Sequence, residues 1–194
     1  MRVNREEAAR SREKIVGVAG RQFRKLGYDG VGIADLMKAA GRTHGGFYKL
    51  FDDKEALMVE ATARALLDNR ENWAEVMAKA PGDPVAALRR WYLSHAHRDH
   101  PAHGCAYAAL AAEAPRHSGA LGTVFEEGLD ASIAQISREL PDGEDREGAI
   151  RVIAQLIGTL ILARAVRSPS LATEILQTAC DGQFPSETRE EDRQ

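Results

Sequence analysis

Two short stretches of this 194-residue chain carry side chains whose types and spacing can do chemistry. The first is His95-Ala96-His97-Arg98-Asp99-His100, an HxHxDH run. Imidazoles and a carboxylate so spaced can hold a zinc ion with one position open to water. The second runs from Gly41 to Phe51, GRTHGGFYKLF. Small, polar, aromatic and basic side chains on one side of a short helix suit the major groove of DNA. Free N–H groups at the start of such a helix favour a phosphate.

Each residue of the second stretch has a role on that reading. His44 and Lys49 can reach base edges or phosphates, and the Tyr48 hydroxyl suits a phosphate. Thr43 can cap the helix and bond a phosphate, while Gly45 and Gly46 admit the duplex close to the backbone. Phe47 and Phe51, four positions apart, anchor the helix on a core.

The elements that must position these residues are helical, because apolar residues recur at three- and four-residue steps and no strand pattern emerges. A first helix over 6–26 carries Ile15, Val18, Ala19, Phe23 and Leu26 and is stopped by Gly27. Helices over 33–40 and 43–51 flank the Gly41 turn as a helix-turn-helix. Asp52 or Asp53 caps a fourth helix towards Met77. Pro81-Gly82-Asp83-Pro84 breaks the chain before a fifth over 84–97. A short pattern follows at 105–114 and a longer one at 118–140, the latter stopped by Pro141-Asp142-Gly143. A very apolar helix over 144–167 and a last one over 169–180 precede a polar stretch, 182–194, expected to be disordered. The expectation is an all-α chain of about nine helices. A three-helix DNA-binding domain occupies 1–52, a helical body 53–181 and a tail 182–194.

The HxHxDH run falls at the end of a helix in this scheme. The metallo-β-lactamase-type hydrolases that carry this signature need a strand-rich scaffold and further ligands far along the chain. Here only His103 and His117 follow. Histidines at a helix C-terminus also interact well with its carbonyls and dipole. The favoured reading therefore has no catalytic residue, no metal and no cofactor, and a metal-dependent hydrolase is the lesser alternative.

Composition sets the outer limits. With 44% hydrophobic and 28% charged residues the chain suits a globular protein with a real core. Residues 1–54 hold 12 Lys and Arg against 7 Asp and Glu, a net of +5. The remainder holds 14 against 22, a net of −8. A basic first third beside an acidic body fits a nucleic-acid contact joined to a regulatory or assembly unit. No apolar run of about 20 residues is evident, so no membrane partner is expected. The first residues lack the apolar core of a secretory signal. Two cysteines do not make a disulfide scaffold, and a cytoplasmic location with reduced thiols follows.

Residues 12–57 resemble the N-terminal domain of the TetR family of bacterial transcriptional repressors. The resemblance rests on Phe23-Arg24-Lys25-Leu26-Gly27-Tyr28, on Ile33, and on the spacing AAG-x-T-x-GG-x-Y-x-x-F-x-x-KEAL from Ala39 to Leu57. It implies DNA contact by Thr43, Gly45, Tyr48 and Lys49, with Lys54 touching the backbone of the duplex. Arg42 replaces a usually apolar turn residue and is expected to point at DNA as well. Gly32 stands where the family has a Ser or Thr cap, and Leu50 and Asp52-Asp53 also depart from the common pattern.

The resemblance further implies a body that binds a small-molecule effector and forms a homodimer on a palindromic operator. Candidate cavity residues are Trp73, Trp91, Tyr92, Tyr107, Leu110 and Phe125, with His95 as a polar group. The stretch His97-Arg98-Asp99, Gly104-Cys105 and Ala108 to Glu113 is similar to one TetR subgroup. In some of its members a cysteine in this Gly-Cys position senses electrophiles or oxidants. Cys105 could act so if His103 or the start of its helix lowers the thiol pKa. The apolar helix with Ile153, Ile157, Gly158 and Ile161, joined by Leu171 and Ile175 of the last helix, is the expected dimer face. The expected function is a repressor released from DNA by a small molecule or a thiol-reactive signal, with an uncontrolled DNA-binding protein as another alternative.

Overall fold

The computed structural model describes residues 2–117, 119–140 and 146–181. Nine α-helices and three 3₁₀ helices make up the described residues, with no strand among them. The expected stop at 141–143 and the expected tail at 182–194 lie outside them.

The first helix, α1 (Arg2–Leu26), starts earlier than its apolar pattern suggests. It ends where Gly27 adopts a φ of 77° and donates its N–H to the Phe23 carbonyl at 2.8 Å. That left-handed conformation is open to glycine and strained for most other residues. The second helix, α2 (Ile33–Ala39), begins at Gly32 without any side-chain cap. Residues 44–49 are a 3₁₀ helix, His44–Lys49, and not the expected α-helix over 43–51. The adjacent Gly45-Gly46 disfavour an α-helix there. The segment instead closes with tighter bonds, Gly46 N–H to Thr43 O and Leu50 N–H to Phe47 O. Thr43 occupies the cap position, but its side chain makes no cap bond.

The long helix α3 (Lys54–Ala78) is capped by the Asp53 carboxylate, which accepts from the Ala56 N–H at 2.7 Å. Its first half packs on α1 and its second half runs into the body. The expected fifth helix splits into α4 (Pro84–Tyr92) and α5 (His95–Asp99). The break comes at Leu93, after which the Ser94 hydroxyl caps α5 by accepting from the His97 N–H. A 3₁₀ turn, Pro101–His103, leads to α6 (Ala106–Leu110) and a further 3₁₀ turn, Ala114–Arg116. The body closes with α7 (Gly119–Ser137), α8 (Arg146–Ala165) and α9 (Pro169–Asp181).

Two apolar clusters form the core, and α3 belongs to both. The N-terminal cluster joins Ile15, Phe23, Leu36 and Phe47 to Leu57 and Ala61 of α3, and takes in Leu110, Ala114 and Leu121. The second joins Trp73, Leu88, Tyr92, Ile133, Leu156 and Leu160. Residues beyond 53 thus complete the core beneath the reading turn. By length and composition α8 could cross a bilayer, contrary to the sequence expectation. Its Val152, Leu156, Leu160 and Ala163 are nevertheless buried in the second cluster.

Candidate nucleic-acid interface and its supports

The reading turn is held from beneath and open from above. Phe47 and Phe51 are buried and stack with ring centroids 5.4 Å apart. The Arg12 guanidinium lies 4.3 Å from the centre of the Phe51 ring and also donates to the Leu50 carbonyl. The same guanidinium grips the Glu60 carboxylate of α3 at 2.6–3.1 Å. Arg12 therefore ties α1, the end of the reading turn and α3 at one point. Nothing in the local sequence pattern singles it out.

Above this anchor, Arg42, Thr43, His44, Gly45, Tyr48 and Lys49 are all exposed. Tyr48 keeps 60% of its surface in solvent, and its ring is edge-on to both Phe47 and His44. A Cβ added at Gly45 would meet nothing within 4 Å, so the backbone there borders open space. The expected contact residues share one outward surface. Lys54 differs: its ammonium donates to the Tyr28 carbonyl at 2.6 Å. It holds the turn after α1 where sequence reasoning expected a phosphate contact.

That turn is also clasped by the body. The Tyr28 N–H donates to Glu113 Oε2 at 2.8 Å, and the Tyr28 hydroxyl pairs with Thr62 at 2.7 Å. Burial pushes the Tyr28 phenol up to about 12, so it stays protonated. The His117 ring stands edge-on to Tyr28 at 5.2 Å. A side chain at Gly27 would collide with the Glu113 carboxylate at 2.7 Å. Glu113, 85 residues from its partner, fell in the stretch that resembles one subgroup, but no local pattern pointed to this contact.

The HxHxDH run is a strut. His97 Nδ1 donates to the Tyr92 carbonyl at 2.7 Å, and Nε2 accepts from the Cys105 N–H at 2.9 Å. Its ring stacks on Trp91 at 5.3 Å and meets Tyr92 edge-on at 4.5 Å. Burial lowers its pKa to about 4, so the ring is neutral near pH 7. Both nitrogens are occupied, which leaves none for a metal, and no group of three potential ligands converges among the described residues. The hydrolase alternative loses its central ligand. Arg164 locks the same corner by donating to the carbonyls of His97 at 2.8 Å and Arg98 at 3.1 Å. Gly104 lets these groups approach, since an added Cβ would lie 2.8 Å from Arg164 and 2.9 Å from His97.

Cys105 sits behind this corner, 2% exposed, and burial raises its thiol pKa. Backbone N–H groups of Tyr107 and Ala108 at the start of α6 favour the thiolate, but desolvation outweighs them. Asn69, with its amide oriented to satisfy both groups, accepts from the Ala106 N–H at 3.1 Å and donates to Ala65 O at 3.3 Å.

The expected cavity residues do not surround a cavity. Trp73, Tyr92, Tyr107 and Leu110 are buried core, with Trp73 6.0 Å from Tyr92 and 6.5 Å from Tyr107. Phe125 packs half-buried against Tyr107, whereas Trp91 and His95 are exposed. Large aromatic residues fill a core as readily as they line a pocket. Clefts open elsewhere, one of about 340 Å³ between α1 and α3 and one of about 750 Å³ between α3 and α7.

Ile153 faces inward at 3% exposed and is part of the chain's own core, not of an interface. On the other side of α8 and α9, Ile161, Leu162 and Leu171 are exposed, with Ile157, Gly158 and Ile175 half-buried. A Cβ at Gly158 would meet open space.

Residues 15–61 match the family model for bacterial regulatory proteins, tetR family. The match covers about a quarter of the chain, the part that carries the 44–49 turn. The regulator AcrR of Shigella flexneri is 36% identical over 88 residues, which are 45% of this chain and 41% of AcrR. The chain thus aligns to about two-fifths of that relative's length. The repressor NemR of Escherichia coli K12 is 24% identical over 146 residues, 74% of this chain and 73% of NemR. Reduced E. coli NemR superposes with a TM-score of 0.74 at 23% identity, covering 88% of this chain and 94% of that one. A TetR regulator from Chloroflexus aurantiacus gives 0.75 at 24% identity, covering 90% and 94%. These relatives are transcriptional regulators, and the solved structures share this chain's all-helical fold.

Proposed function

We propose that this chain is a homodimeric, effector-responsive repressor, acting in the cytoplasm on a palindromic operator. The observation that carries the reading is the set of exposed side chains from Arg42 to Lys49 on a turn anchored by Phe47, Phe51 and Arg12. Such a surface can enter a major groove without loss of packing beneath it. Lys49, His44 and Arg42 supply cationic or donor contacts, and Tyr48 a hydroxyl.

The exposed apolar stripe of Ile161, Leu162 and Leu171 supports pairing with a second copy across α8 and α9. A twofold pair presents two reading turns, which matches a palindrome. The clasp of Tyr28 by Glu113 and His117 supports effector control, because α6 and the turn after it bear directly on the reading domain. An effector that prefers one arrangement of the body would bias the spacing of the two turns. A thiol-reactive signal would first have to open the buried surroundings of Cys105.

Selection of bound sequences from a random duplex library by the purified protein tests this. A recovered palindrome is expected. Recovery of half-sites alone would overturn the dimeric reading, and recovery of no preferred sequence would overturn operator recognition.

A further inference from the structure

The cleft between α1 and α3 has a chemistry of its own. The two helices come close at Gly20, where an added Cβ would lie 3.4 Å from the Ala61 carbonyl, and a space of about 340 Å³ opens beside this point. Arg21 and Arg24 of α1 form one wall, Arg64, Asp68 and Glu71 of α3 the other, and His103 closes the end. A volume of this order is enough for a compact ligand.

The α1 wall is an incompletely paired cationic surface. The Arg24 guanidinium is half-buried and uses Nε on the Ala102 carbonyl at 2.9 Å. Burial lowers its pKa; Asp68 partly offsets this, and the neighbouring Arg21 adds to it. Arg21 has its Nη1 within 3.7 Å of where a Gly17 Cβ would stand, so its head folds back over the glycine floor of the cleft. On the opposite wall Arg64 is occupied by Asp68 at 2.7 Å. Two guanidiniums one helical turn apart offer paired donors in the geometry that carboxylates and phosphates accept. The carboxylates of Asp68 and Glu71 make the arrangement directional. An oxyanion would lie on the α1 side, and hydroxyl or amine donors would face α3.

We propose that this cleft binds a compact molecule bearing a carboxylate or phosphate, held by Arg21 and Arg24. Because α1 belongs to the reading domain and α3 extends into the body, such a ligand would fix the angle between them. That regulatory consequence rests on the reading given under Proposed function; the binding itself does not.

Thermal unfolding of the purified full chain, with inorganic phosphate or malonate replacing chloride at constant ionic strength, tests the site. The expected result is a saturable rise in midpoint, on the order of 2–4 °C. In Arg21→Gln, whose exposed side chain makes no hydrogen bond needed for folding, half-saturation should need about tenfold more anion. Arg138→Gln, the same loss of charge just beyond the end of α7, should titrate like the unaltered protein. A response to phosphate alone or to malonate alone identifies the head group. A rise that never saturates, or equal half-saturation in all three proteins, overturns the proposal. Selection from the duplex library with the same preparation keeps the questions apart, since a recovered palindrome would leave the regulatory reading standing even if no anion binds.

Discussion

The reading turn at 44–49 and the corner from His95 to Cys105 both carry histidine and glycine, yet their functional groups face opposite ways. In the corner, both His97 nitrogens, the carbonyls of Tyr92, His97 and Arg98, and the Arg164 guanidinium all find partners within the chain. In the reading turn, His44, Tyr48 and Lys49 stand in solvent while only the aromatic anchors look inward. Spacing of chemical groups states what a stretch can do; the partners already engaged state what remains available for a ligand. The corner is structural on that criterion, and the turn keeps its groups available for a ligand.

The sharpest break of the contrast is at the anchor. Phe47→Ala removes a fully buried ring that stacks on Phe51, and a loss of about 3–5 kcal/mol is expected. Denaturant unfolding measures it. A loss below about 1 kcal/mol would mean that the turn is not held by its underside.

The corner comes next. His97→Ala leaves the Tyr92 carbonyl and the Cys105 N–H without their partner, at a cost of roughly 2–4 kcal/mol. The ring also makes stability depend on pH. Its folded pKa of about 4 lies below the usual 6.5, so the unfolded chain binds the extra proton first. Stability from this group is full above about pH 6.5 and falls as pH drops towards 4, by on the order of 2–3 kcal/mol. His97→Gln should flatten that slope between pH 4 and 6.5. An unchanged slope would remove His97 from its assigned place.

How much of this was legible in the sequence differs between the two regions. Gly27, Asp53 and Pro84 act locally, and the helix ends they set fall where expected. Phe47 and Phe51 were legible as anchors because their spacing puts both rings on one side of a single turn. Gly45-Gly46 were read for close approach and not for their cost to an α-helix, so the 3₁₀ form of that turn was missed, and the Arg12 bond to the Leu50 carbonyl comes from the distant α1. Ile153 and Ile161 lie on one nearly uniform apolar helix, so only packing separates the buried one from the exposed one. The aromatic candidates failed for the same reason: residue type does not distinguish a filled core from a lined cavity. The clasp on Tyr28 joins positions 85 apart, beyond any local pattern.

The smallest expected effect separates two lysines that sequence reasoning treated alike. Lys49 is exposed on the reading surface, whereas Lys54 gives its ammonium to the Tyr28 carbonyl. If Lys49 meets a phosphate, Lys49→Ala weakens DNA binding by roughly 1 kcal/mol and lowers the salt slope by about 0.9 per site. Its effect on unfolding should be within about 0.5 kcal/mol. Lys54→Met should do the reverse, costing about 1 kcal/mol of stability through the lost carbonyl bond with little change in salt slope. Titration of a selected duplex at several salt concentrations, beside denaturant unfolding of both variants, makes the comparison. A full unit of lost salt slope in Lys54→Met would place its ammonium on DNA in the complex, with the Tyr28 bond kept only by the free protein.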